Sequence, residues 1–127
     1  MGAYSGARIM FESRVNPDNT WYFDAFVHLG EKAKSKALIV PELTHPTDQW
    51  YNLTLTAGKN GIKSYVNGVL QAEDSLAYEP VINEGATSIG VRQNKVCWFK
   101  GAILKVRVTE GILEPKDFLQ DHIILNK

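Results

Sequence analysis

Hydrophobic and polar positions alternate with a period of two along most of the chain. From Trp50 to Thr56, Tyr51, Leu53 and Leu55 fall on one face and Trp50, Asn52, Thr54 and Thr56 on the other. That is the pattern of a half-buried strand. Asn60-Gly61 marks a hairpin turn, because both residue types tolerate positive φ. Ile62–Val66 is the return strand, and Asn67-Gly68 a second turn leading into Val69-Leu70-Gln71. Upstream, Ala7–Val15 and Trp21–Leu29 read as strands joined by Asn16-Pro17-Asp18-Asn19. Ala37–Val40 is a strand confined to an edge or an end by Pro41.

Downstream, the pattern predicts strands over Thr87–Val91, Cys97–Gly101 and Ala102–Val108, the first two separated by a polar tip, Arg92-Gln93-Asn94-Lys95. In the last of these, Leu104, Val106 and Val108 oppose Ile103, Lys105 and Arg107. Only Glu114–Gln120 carries a helical signal, with Pro115 early in it, and it would make a turn or two. The expected fold is all-β: an antiparallel β-sandwich of jelly-roll character with one short C-terminal helix.

Composition narrows the function classes. The 127 residues suit one domain, residues 1–127. Fourteen Lys+Arg balance fourteen Asp+Glu, so there is no basic excess to neutralise phosphates, and no nucleic-acid partner is expected. No apolar run reaches the ~18 residues of a membrane span, so no membrane insertion is expected. The opening residues show no signal-peptide pattern, which suits either a cytosolic chain or a piece cut from a secreted parent. A single cysteine, Cys97, excludes an internal disulfide and a Cys-based zinc site; it is expected to be a buried structural thiol.

Several elements together resemble the laminin-G-like branch of the concanavalin A-like lectin/glucanase jelly rolls. They are Trp50 opening a strand, Tyr65-Val66-Asn67-Gly68, Ile89-Gly90, Phe99-Lys100-Gly101-Ala102-Ile103, and Leu113 with Asp117-Phe118. The resemblance covers roughly residues 48–120 and rests on their order and spacing. It implies a core position for Trp50. It also implies a domain of an extracellular or cell-surface parent, and some relatives of this type hold calcium on their rim. Asn16-Pro17-Asp18-Asn19 and Thr44-His45-Pro46-Thr47-Asp48 could offer oxygen ligands, yet both read as ordinary turn chemistry. No cofactor is therefore expected, with calcium left open. His28, His45 and His122 lie far apart, and no transition-metal site is expected.

Glycoside hydrolases of this superfold carry carboxylates at alternate positions of one strand, and no such array occurs here. The chain is expected not to be an enzyme. A carbohydrate-binding module needs an aromatic face with hydrogen-bonding groups around it. Arg92, Asn94 and Trp98 supply both at one hairpin tip and are the expected ligand-binding residues; Trp21, Tyr22 and Asp24 form a second polar-aromatic cluster. The pattern does not resemble the His, Asn and Arg strand of galectins. Three readings stand: a lectin-like module with a glycan ligand, an interaction and assembly module with a protein partner, and, as a minor third, a glycoside hydrolase with an unrecognised carboxylate pair. The strand candidates are fewer than a complete sandwich of this family has, so an open edge and a homo-oligomer are expected.

Overall fold

The computed structural model describes residues 7–30, 35–78 and 85–127. Among them seven strands form two antiparallel sheets. The first holds β1 (Arg8–Val15), β2 (Thr20–His28) and β3 (Ser35–Ile39) in that order, with the two-residue β4 (His45–Pro46) paired to β2 beyond β3. The second is a meander of β5 (Leu53–Gly58), β6 (Gly61–Val66) and β7 (Val69–Asp74).

Alternation decides which residues meet between the sheets. In β2, Trp21, Phe23, Ala25 and Val27 point inward and are buried, as are Leu38 of β3 and Ile62 and Val66 of β6. Trp21 lies edge-on to Tyr51, with ring centroids 4.9 Å apart. Lys36 of β3 reaches across to Asp74 of β7, 3.2 Å between Nζ and Oδ2, tying the two sheets together.

The turns explain the register. Asn67 and Gly68 both take positive φ, 51° and 78°, the geometry that lets two strands reverse with their natural twist. The other turn differs from expectation by one place: it is built on Lys59-Asn60, and Gly61 alone adopts positive φ, at 127°. A Cβ at Gly61 would run into the carbonyl of Asp74, so only glycine fits there.

The later half departs further. The described residues from 87 to 108 contain no strand, although three were expected. Lys95 and Cys97 sit in the left-handed region at φ 62° and 58°, which interrupts any ladder between 91 and 98. Over 102–108 the polar side chains turn to the chain's own C-terminal end. Lys105 Nζ meets the Asp121 carboxylate at 3.1 Å, and Arg107 donates to the Asp117 carbonyl at 2.8 Å. The opposite row, Leu104, Val106 and Val108, is left exposed. Within the expected helix, Glu114–Gln120, the structure forms a 3-10 turn over Pro115–Asp117, and a short helix, α1 (Asp121–Leu125), follows beyond it. Phe118 between them is buried against Tyr65 of β6, ring centroids 5.1 Å apart, and anchors this segment on the outer face of the second sheet.

Candidate functional site

The outward face of the first sheet is a shallow groove of about 280 Å³. Arg8, Met10, Glu12 and Arg14 of β1, Asp24 and Phe26 of β2, Ala37 and Ile39 of β3, and Arg92 line it. The register dictates this set. Met10 pairs with Phe26 and Phe26 with Ala37, while Glu12 pairs with Asp24 and Asp24 with Ile39, so each row presents its outward side chains together. The Phe26 ring forms the apolar floor. The Arg8 guanidinium lies over it at 5.2 Å, and the His28 ring stacks beside it at 6.2 Å.

Charge alternates through the rest of the groove. Arg14 Nε donates to Asp24 Oδ2 at 2.9 Å, and its Nη2 lies 3.3 Å from Glu12. The hydrogen bond to Asp24 raises the Arg14 pKa still further above its ordinary value, so the guanidinium is charged throughout. Arg92 arrives from the far end of the sequence and grips Glu12 with two parallel bonds, Nε to Oε1 at 2.7 Å and Nη2 to Oε2 at 2.8 Å. Such fork-to-carboxylate pairs fix direction as well as charge.

Of the three expected ligand-binding residues, the structure places Arg92 in the groove. Its turn is closed by the Lys95 N–H donating to the Arg92 carbonyl at 2.8 Å and the Arg92 N–H donating to the Val96 carbonyl at 3.2 Å. Asn94 sits exposed on that turn, and Trp98 just beyond it is 69% exposed; neither lines the groove. The second expected cluster divides between the two faces: Trp21 is core, while Tyr22 and Asp24 face outward. Trp50 is half-buried and lies outside the core that Trp21 occupies. Cys97 is exposed rather than buried: it takes φ 58° in a turn segment whose residues 93–100 are all exposed. The carboxylate pair Glu12–Asp24 was missed. Its signal was available: the two lie six residues either side of Asp18, on which the β1–β2 hairpin is centred.

In the first of the two loop candidates for calcium the carboxylate is used locally, whereas the Asp48 carboxylate of the second is exposed. Asp18 accepts from both the backbone N–H and the hydroxyl of Thr20, at 3.1 and 2.6 Å, and these bonds lower its pKa. Among the described residues no group of three or more His, Cys, Asp or Glu could hold a metal ion.

Two packed antiparallel sheets with one groove-bearing open face define a β-sandwich. A laminin G family model described as the Concanavalin A-like lectin/glucanases superfamily matches residues 2–117, and the chain belongs to that family. Neither the curated proteins nor the solved structures gave a match. The superfamily includes glycosidases and non-enzymes, and laminin G-like domains are commonly extracellular. No helix among the described residues is long and apolar enough to cross a membrane.

Proposed function

We propose that this domain is a non-catalytic carbohydrate-binding module of a secreted or surface protein, without a cofactor. The glycan lies on the outward face of the first sheet, where Arg92 lines the groove, and extends beyond the groove to Asn94 and Trp98 of the same exposed turn segment. The observation that carries this reading is the groove. An aromatic floor, Phe26, is ringed by guanidinium and carboxylate groups whose directions are set by one another. Such preorganised polar groups around an apolar surface suit a ligand with a C–H face and a rim of hydroxyls.

Opposed carboxylates in a groove are also the equipment of a glycosidase. Here both are engaged: Asp24 by Arg14, Glu12 by Arg92 and Arg14. The guanidiniums occupy oxygens that an acid or nucleophile would present to the glycosidic bond, which supports binding over turnover. A glycan array on the domain tests the reading, followed by calorimetry on its best ligand. Trp98→Ala and Arg92→Ala should each weaken binding by about tenfold or more, with Trp98→Ala leaving Tm unchanged because the indole is exposed. Polysaccharide cleavage abolished by Glu12→Gln or Asp24→Asn would overturn the non-catalytic reading.

A second observation favours the assembly reading. Leu104, Val106 and Val108 are exposed apolar side chains at alternate positions of one segment, the kind of surface that marks protein contact. Light scattering after gel filtration decides it. A dimer lost in Val106→Lys supports assembly through this row, and a 14.2 kDa monomer at high concentration rejects it.

A further inference from the structure

The loop entering β5 ends on Asp48-Gln49-Trp50. Together with Phe99 and Ala102 these residues line a second cleft, of about 250 Å³. No residue of this cleft lines the groove on the first sheet. Trp50 is held in place by an unusual device. Its N–H donates to Asn126 Oδ1 at 2.8 Å, and Asn126 Nδ2 donates to the Trp50 carbonyl at 2.8 Å. A side-chain amide from the C-terminal end thus substitutes for a strand partner and fixes the backbone that carries the indole. Two residues on, Asn67 does the same for Asn52, accepting its N–H at 2.9 Å and donating its own backbone N–H to the Asn52 carbonyl at 2.8 Å.

The polar members of the cleft are unspent. Asp48 takes φ 63°, an arrangement Asp tolerates better than most residues. Among the described residues neither its carboxylate nor the Gln49 amide has a hydrogen-bond partner.

We propose that this cleft is a second saccharide subsite, taking one neutral sugar ring of a longer chain. It lies apart from the groove and does not depend on the groove reading. Aromatic faces carry negative charge density and attract the C–H groups on the face of a sugar ring. The Asp48 carboxylate accepts hydroxyl hydrogens, and the Gln49 amide both donates and accepts. The lining holds a carboxylate and no Lys or Arg, so an acidic sugar meets like charge and a neutral one does not. The volume falls below the roughly 300–1,000 Å³ of sites that enclose a drug-sized ligand. One ring fits that size, with the remaining units running on over the surface.

The test is a titration of the isotope-labelled full chain with maltohexaose, cellohexaose and chitohexaose, all neutral. The readout is the three tryptophan indole N–H signals. With at least one sugar, the Trp50 signal should shift saturably. Trp50→Ala should weaken that binding by about tenfold or more, and Trp50→Phe should keep most of it. Asn126→Ala should weaken it several-fold and broaden the Trp50 signal, as expected of a positioning residue. Arg92→Ala should leave the Trp50 shift unchanged, which separates this subsite from the groove. Gln49→Ala, on an exposed side chain, provides a loss-of-binding variant that does not threaten folding. No saturable Trp50 shift with any of the three sugars overturns the proposal, as does calorimetric binding that survives both Trp50→Ala and Gln49→Ala.

Discussion

Residues 7–78 and residues 85–127 solve the same problem in opposite ways. Both contain runs with a period of two. In the first region every such run finds an antiparallel neighbour, and all seven members of the buried core cluster come from it. In the second, the runs form no strand, and Phe118 is its one buried large hydrophobic among the described residues. The difference lies in what stands next to each run. β5, β6 and β7 are separated by turns of two residues, so each partner arrives at almost no loop-closure cost. Ala102–Val108 has the Arg92–Val96 turn before it and Gly111 at φ 90° after it, and neither returns an adjacent strand. Period two specifies a face; pairing also needs a partner within reach.

The largest effect should separate the regions directly. Phe23→Ala removes a buried ring that packs edge-on against Phe11, centroids 5.5 Å apart. It should cost about 3–5 kcal/mol. Val108→Ala, at a side chain 95% exposed, should change stability by less than about 0.5 kcal/mol. Chemical denaturation of both variants checks the pair. Equal losses would mean that the second region shares the core after all.

Phe118→Ala comes next, because it tests where the second region is attached. Its ring is 4% exposed and meets Tyr65 on the outer face of the second sheet, so the loss should be about 3 kcal/mol, at the lower end for a buried ring. Hydrogen exchange should then accelerate over residues 110–125 and remain slow in β2 and β6. Uniform acceleration would show that the attachment and the core unfold as one unit.

Legibility follows the same division. The meander was readable because Asn60-Gly61 and Asn67-Gly68 are local signals, and even the one-place shift at Gly61 left the pairing of β5 with β6 intact. The wide hairpin of β1 and β2 was readable from Asn16-Pro17-Asp18-Asn19 for the same reason. Arg92 was singled out from its own neighbourhood as a polar residue beside an aromatic. Its partner Glu12 lies 80 positions away, and no local pattern links the two. Trp21 and Trp50 exchanged roles because alternation places both on strand-like runs, and only packing decides which indole faces a second sheet. Cys97 was expected inside on the habit of free thiols, whereas it lies in a segment that no strand covers, which its own neighbours in the sequence do not announce.

Gly61→Ala sharpens the account of the first region. The substitution forces a Cβ at φ 127° against the Asp74 carbonyl, which β7 cannot move without breaking its pairing with β6. Strain of this kind costs of order 1–3 kcal/mol. Calorimetry should show a lowered Tm, while Gly90→Ala, with nothing within 4 Å of its added Cβ, should lose only the smaller penalty of its positive φ.

The smallest effect concerns the join between the sheets, and it is a pH effect. The Asp74 carboxylate accepts the Leu76 N–H at 2.9 Å and faces Lys36 at 3.2 Å. The backbone bond first, and Lys36 second, lower its pKa below the ordinary value. A carboxylate lowered on folding contributes stability above its unfolded pKa, about 3.9. That contribution shrinks once the pH drops below this value and is gone below the folded pKa. Asp74→Asn keeps a side-chain acceptor for the Leu76 N–H and removes the charge. Thermal melts between pH 7 and pH 2 should therefore show a shallower acid decline in the variant, and the curves of the two proteins should converge at the acid end. A decline of equal steepness in both would show that the Lys36–Asp74 contact is spectator geometry. The sheets would then be held together by apolar packing around Trp21, Phe23, Val27, Leu38, Ile62 and Val66.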